Sequence, residues 1–233
     1  MTSVRNPKLS HPAPRIPHPA PLTGGFFITL EGPEGSGKSS QAKRLVQVLR
    51  REGRTVVFVS DPGSTNLGRR LRAVLLHDVR QQPSPFAEAL LFIAGRIQLV
   101  EERIRPALRK GCIVVCDRFH DSTIAYQGCG GGLNIAWLDR LGRRAIGGLM
   151  PDLTILLDVP AAVGLTRVTH RKDRMEQKAL AFHQRVQQGY RRVAKRQSRR
   201  FVVVDATRPK AHIGHQVLDV VLQRLKQASR RPA

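Results

Sequence analysis

The sequence predicts a three-layer α/β/α sandwich around a five-stranded parallel sheet. Three observations carry that expectation. Short apolar runs recur along the chain with helical patterns between them. A glycine-rich loop joins the first apolar run to the first helix. No internal repeat interrupts the alternation.

The runs are at 26–30, 55–59, 113–116, 153–157 and 201–204, each rich in Val, Ile, Leu or Phe. Runs apolar at nearly every position suit strands covered on both faces, as in a parallel sheet. Between the first two, Leu45, Val48 and Leu49 fall on one helical face, which completes a βαβ unit with a right-handed crossover. Residues 85–109 read as one long helix whose centre, Ala89-Leu90-Leu91-Phe92-Ile93-Ala94, is apolar almost all round. A helix of that kind is buried on more than one side, and a second subunit is the expected cover for the second side. The last helix carries Leu218, Val221, Leu222 and Leu225 at spacings of three and four. Ligands are expected at the carboxyl ends of the strands.

Composition narrows the class. With 233 residues and 41% hydrophobic content, the chain suits one globular domain. No uninterrupted apolar stretch is long enough for a membrane span. Cys112, Cys116 and Cys129 match no metal-ligand spacing and fit a reducing, cytoplasmic setting. Forty Lys plus Arg against 17 Asp plus Glu give a formal charge of +23, which raises the question of nucleic acid. The 5% of aromatics do not interleave with the basic residues as a stacking platform requires, so nucleic acid is not the expected partner. Residues 1–24 are basic and proline-rich, with Pro7, Pro12, Pro14, Pro17, Pro19 and Pro21, and read as a disordered tail without chemistry. The domain proper is expected over 25–233.

Gly32, Pro33, Glu34, Gly35, Ser36, Gly37, Lys38 and Ser39, with Ser40 following, match G-x-x-x-x-G-K-[ST] between a strand and a helix. Glycines let backbone amides turn inward around phosphate oxygens, and the helix points its positive end at the same anion. Lys38 is placed to reach the β- and γ-phosphates and Ser39 to ligate Mg²⁺. The fold is thus expected to be of the P-loop NTPase type, with ATP as phosphate donor. Asp117 closes the third apolar run, where an acid holds Mg²⁺ or its water. Arg118 beside it is suited to clamping a phosphate.

These motifs, together with Asp61-Pro62-Gly63, Leu91-Phe92 with Arg96, Asp117-Arg118-Phe119 with Ser122 and Ala125-Tyr126-Gln127-Gly128, Pro151-Asp152-Leu153-Thr154, and Asp173-Arg174-Met175-Glu176, resemble the bacterial thymidylate kinases in order and spacing. The resemblance implies that dTMP is the acceptor; the expected homodimer rests on the apolar helix at 85–109. It implies that Phe92 stacks on thymine and Arg96 donates to its O4; the spacing of four independently puts both on one helix face. It further implies that Arg118 binds the acceptor phosphate, that Ser122, Thr123, Tyr126 and Gln127 line the nucleoside pocket, and that Glu34 approaches the sugar. Residues 167–174 resemble the ATP lid, expected at about 167–176, with Arg171 and Arg174 as candidates for stabilising transition-state charge. Ala206, Thr207 and Arg208 stand where the adenine loop lies.

Some positions depart from the family pattern. Asp61 stands where Glu is usual, Ser64 for a glycine, and Phe119 for a tyrosine. The alternatives are a kinase for another nucleoside monophosphate, a nucleic-acid-binding ATPase, and a degenerate regulatory P-loop protein. The retained Lys38, Ser39, Asp117 and Arg118 speak against the last.

Overall fold

The computed structural model describes residues 24–78, 82–169 and 173–229. The expectation for the 1–24 tail therefore lies outside the described residues, apart from Gly24, as does the one for Arg171. Five parallel strands, β1 (Phe26–Glu31), β2 (Val56–Ser60), β3 (Ile113–Asp117), β4 (Leu153–Asp158) and β5 (Phe201–Asp205), form a sheet in the order β2-β3-β1-β4-β5. Around it lie helices α1 (Lys38–Arg51), α2 (Asn66–Arg72), α3 (Pro85–Leu99), α4 (Arg105–Arg109), α5 (His120–Thr123), α6 (Ile135–Ala145), α7 (Ala161–Thr166), α8 (Leu180–Arg196) and α9 (Lys210–Ser229).

The period-two alternation of a strand sorts the core into its layers. Ile28 and Leu30 of β1 face one way, into a cluster with Leu45 and Leu49 of α1 and Val217 and Val221 of α9. Phe27 faces the other way, packing with Leu99, Ile104 and Leu108 and meeting the Phe119 ring edge-on at 5.0 Å. A third cluster joins Leu156 and Phe201 to Val186 and Tyr190 of α8 and to Tyr126. The sandwich expected from the sequence is the one observed.

Each strand runs one residue beyond its apolar stretch, and that residue is polar: Glu31, Ser60, Asp117, Asp158 and Asp205. These acceptor side chains define the carboxyl edge of the sheet. Register holds the edge level, because Leu30 and Ser60 both stand opposite Asp117.

The helix read at 85–109 is interrupted. After α3 the chain takes a π-helical turn, Val100–Ile104, and restarts as α4. Pro106 supplies the reason, since it has no N–H to return to Glu102, one turn back. Periodicity assigns nothing to α2, α5, α6 and α7. Two further π-helical stretches, Ala73–His77 and Ile124–Gly130, extend α2 and α5. Wide turns shift the side-chain period, so a search at the α-helical period passes over them. Among the described residues no helix is long and apolar enough to cross a membrane.

Candidate active site

One cavity of about 840 Å³ opens at the carboxyl edge of β1, β2 and β3. Its floor is the loop between β1 and α1. Gly35 has φ 66°, and a Cβ there would fall 1.9 Å from the Gly164 carbonyl oxygen, so only glycine fits. Gly37 caps α1 in the left-handed conformation at φ 86°. Lys38 follows, with Nζ donating to the Pro33 carbonyl at 2.7 Å and to Ser36 Oγ at 3.2 Å. Burial and the neighbouring Arg118 charge push its pKa down to about 8.

Ser39 and Asp117 meet across the β1–β3 pairing, Ser39 Oγ donating to Asp117 Oδ2 at 2.5 Å. Two hard oxygen donors side by side at the mouth of a phosphate loop fit Mg²⁺. Among the described residues no group of three His, Cys, Asp or Glu could hold a metal alone.

Arg118 is the hub of a polar network beside the loop. Among the described residues it is the only non-glycine with positive φ, at 67°. A left-handed arginine is a local strain of the sort that functional geometry sustains. Its Nη1 donates to the Gly32 carbonyl at 3.2 Å and to Tyr190 Oη at 3.1 Å; its Nη2 donates to Glu34 Oε1 at 3.0 Å and to Tyr126 Oη at 3.1 Å. Tyr126 Oη also donates to Glu34 Oε1 at 2.5 Å. Burial works to raise the Glu34 pKa, but Arg118, Lys38 and the Tyr126 hydroxyl outweigh it and hold it at about 2.

Behind the hub stands Glu31, fully buried at the end of β1. Its Oε1 accepts the Phe119 N–H at 2.7 Å, and its Oε2 accepts the hydroxyls of Ser122 at 2.7 Å and Tyr190 at 3.0 Å. Burial, helped by nearby Asp121, lifts its pKa to about 7 despite those donors. The folded protein therefore binds a proton at Glu31 that the unfolded chain releases between about pH 4.5 and 7. Across that window Glu31 costs the wild type stability as pH rises. Glu31→Gln should gain in Tm relative to wild type between those limits, and parallel Tm curves across the window would refute the shift.

The far end of the cavity is built from α3 and the α5 region. Arg96 is buried; it pairs with Asp61 and donates to Thr123 Oγ1 at 2.9 Å, with its guanidinium 5.5 Å from the Phe119 ring centroid. Phe92, Arg96, Ser122, Thr123, Tyr126 and Gln127 all line the cavity, as does Ser40 on the phosphate side. The Asp61 carboxyl is pushed upward by burial against the pull of Arg96, and its Oδ1 has no hydrogen-bond partner.

The residue model of the thymidylate kinase family matches 30–217. This chain belongs to the thymidylate kinase family. The thymidylate kinase of Deinococcus radiodurans is 46% identical over 205 residues, covering 87% of this chain and 99% of its own. That of Thermomicrobium roseum is 47% identical over 210 residues, covering 89% and 99%. The crystal structure of thymidylate kinase from Ehrlichia chaffeensis superposes with a TM-score of 0.70 at 32% identity, covering 85% and 99%. The chain's activity is accordingly that of a dTMP kinase.

Within this thymidylate kinase fold, some expected residues stand apart from the cavity. The Arg174 guanidinium pairs with Glu88, and its Nε donates to the Leu75 carbonyl at 2.8 Å. It is a strut in this structure, not a charge over the phosphate loop. Thr207 and Arg208 are exposed and bound to Asp205, while buried Ala206 accepts from Arg167 Nη1 at 2.7 Å. Arg167 itself lines the cavity, as do Asp173 and Glu176 of the segment expected as the lid. Sequence reasoning missed Glu31, Glu88 and Tyr190, and in the lid segment it singled out Arg171 and Arg174 rather than Arg167. A signal existed for Tyr190: the chain has two tyrosines, and both meet at Arg118.

Proposed function

We propose that the cavity carries direct in-line transfer of the γ-phosphoryl group of MgATP to the 5′-phosphate of dTMP. An acceptor phosphate oxygen bonds to the γ-phosphorus as the bond to the β,γ-bridging oxygen breaks, giving dTDP and ADP. The observation that carries this is the meeting in one cavity of a phosphate loop with its Ser39–Asp117 pair, the Arg118–Glu34–Tyr126 hub, and the Arg96–Thr123 pair beside Phe92. The acceptor is already an ionised phosphate, so the protein supplies neither a nucleophile nor a strong base. It supplies position and counter-charge.

Lys38 follows the β- and γ-phosphates and exchanges its bonds to Pro33 and Ser36 for phosphate oxygens. Ser39 and Asp117 would hold Mg²⁺, which would neutralise charge on the phosphate oxygens. Arg118 holds the acceptor phosphate, and Glu34 and Tyr126 border the sugar. Arg96 donates to O4 of the base, and Phe92 provides the stacking face. Arg171 remains the lid candidate for transition-state charge, whereas Arg174 would first have to leave Glu88. Ala206, Thr207 and Arg208 border the adenine.

A coupled ADP-release assay over nucleoside monophosphates tests the reading. The expected order of kcat/KM is dTMP, dUMP, UMP, dCMP. Losing only the methyl costs dUMP about 10- to 200-fold, whereas presenting an amino donor to Arg96 costs dCMP roughly 10⁴-fold. Preference for dCMP, CMP or AMP sinks it.

A homodimer through α3 belongs to the same reading. Phe86, Leu90 and Ile97 expose 48%, 39% and 37% of their surface along one side of α3, with Leu67 of α2 also exposed. An apolar stripe of this kind suits an isologous contact with a second copy. Leu90→Glu should shift the mass in solution from a dimer to the 25.9 kDa monomer. A wild type that is already monomeric at micromolar concentration removes the proposal. Cytoplasmic placement fits free, buried Cys112 and Cys116.

A further inference from the structure

Gln127 lines the cavity, but its amide is tied down. Nε2 donates to Glu88 Oε1 at 2.8 Å. Glu88 lies in the first turn of α3 and is buried. Its other oxygen, Oε2, pairs with the Arg174 guanidinium. Arg174 is in turn fixed to the segment after α2, donating from Nε to the Leu75 carbonyl and from its backbone N–H to the Leu76 carbonyl at 3.0 Å. The carboxylate is thus held from two sides. A carboxylate paired with arginine offers only acceptors, so Gln127 has to turn its NH₂ toward it. The amide oxygen is the polar end left for the cavity.

We propose that Glu88 is a positioning residue that sets base specificity by fixing the Gln127 amide as an acceptor. The inference rests on the dTMP reading above. Thymine presents an N3–H donor beside its O4 acceptor. Cytosine presents the reverse, an N3 acceptor beside an amino donor. Arg96 as donor and Gln127 Oε1 as acceptor match the first pair and oppose the second at both atoms. An unrestrained glutamine has no such preference, because turning its amide by about 180° exchanges donor for acceptor. The selectivity of Gln127 is therefore lodged in Glu88. The same carboxylate anchors lid residue Arg174, so base reading and lid placement share one group.

The test measures kcat/KM for dTMP and dCMP in wild type, Glu88→Gln, Gln127→Ala and the double variant. Glu88→Gln keeps the shape but lets the Gln127 amide turn. It is expected to lower the dTMP:dCMP ratio by at least about tenfold; a change in KM for ATP through the loosened Arg174 is common to both nucleotides and leaves that ratio untouched. In the Gln127→Ala background the same change should lower the ratio no further, since the two residues act as one unit. A ratio unchanged in Glu88→Gln, or lowered equally in both backgrounds, overturns the inference. A second measurement needs no variant: dTMP methylated at N3 should bind wild type at least about tenfold more weakly than dTMP, and equal binding overturns the inference as well. A wild type that does not phosphorylate dTMP sinks the underlying reading. A wild type that strongly prefers dTMP, with an unmoved ratio in Glu88→Gln, sinks only this inference.

Discussion

Lys38→Ala is expected to lower kcat by at least about 10²- to 10³-fold, the size of effect seen when a donor aimed at developing charge is removed. The loss should fall on turnover while the fold stands. Lys38 makes its two hydrogen bonds inside its own loop, to Pro33 and Ser36. The strands on either side are held by pairing and apolar packing that do not involve it. Burial already opposes its charge, so the substitution relieves a cost as well as removing a contact. Thermal unfolding should therefore be close to wild type. Near-normal dTMP phosphorylation by Lys38→Ala would overturn the phosphate-loop assignment.

Arg118→Ala is expected to lower kcat/KM for dTMP by about 10³-fold or more, since it removes the proposed counter-charge of the acceptor phosphate. Arg118→Lys should recover little of this. The fork of Arg118 reaches Glu34, Tyr126, Tyr190 and Gly32 at once, and a point-charge ammonium cannot span that set. A second readout follows from electrostatics. Arg118 is the largest influence holding the Glu34 pKa down at about 2. Without it, burial should carry the Glu34 titration upward, which NMR of the carboxyl carbon can follow. Full recovery by lysine, or a Glu34 titration that stays put, would show that the hub is not built as described.

The phosphate loop was legible because its chemistry is contiguous in the chain. The five strands were legible because a doubly covered strand is apolar at nearly every position. What escaped was polar, buried and paired over distance. Glu31 ends an apolar strand next to a glycine-rich loop, and nothing local marks it as an acceptor for Phe119, Ser122 and Tyr190. Arg96 was readable as a candidate base donor, yet its pairing with Asp61 joins residues 35 apart. At Asp61 the change from the family's usual Glu was visible, and its buried partner was not. Arg174 shows the limit of transferring a role by position: its motif is intact, and its guanidinium is committed to Glu88. α5 and α6 escaped for another reason, because a π-helical stretch lies between them and breaks the period a helix search uses.

The bonds around the site join distant parts of the chain. Phe119 reaches Glu31 across 88 residues, Tyr126 reaches Glu34 across 92, and Tyr190 reaches Glu31 across 159. Synthesis releases the phosphate-loop segment early and Tyr190 only near the end, at about 5–20 residues per second. Closing such long loops is also the slow part of folding. β1 is paired on both sides, with β3 and β4, so the loop that follows it has its support only once residue 158 has been made, and the Glu31–Tyr190 bond comes later still. Until Tyr190 has been added, Arg118 lacks one of the hydroxyls that position it, however complete the earlier strands are.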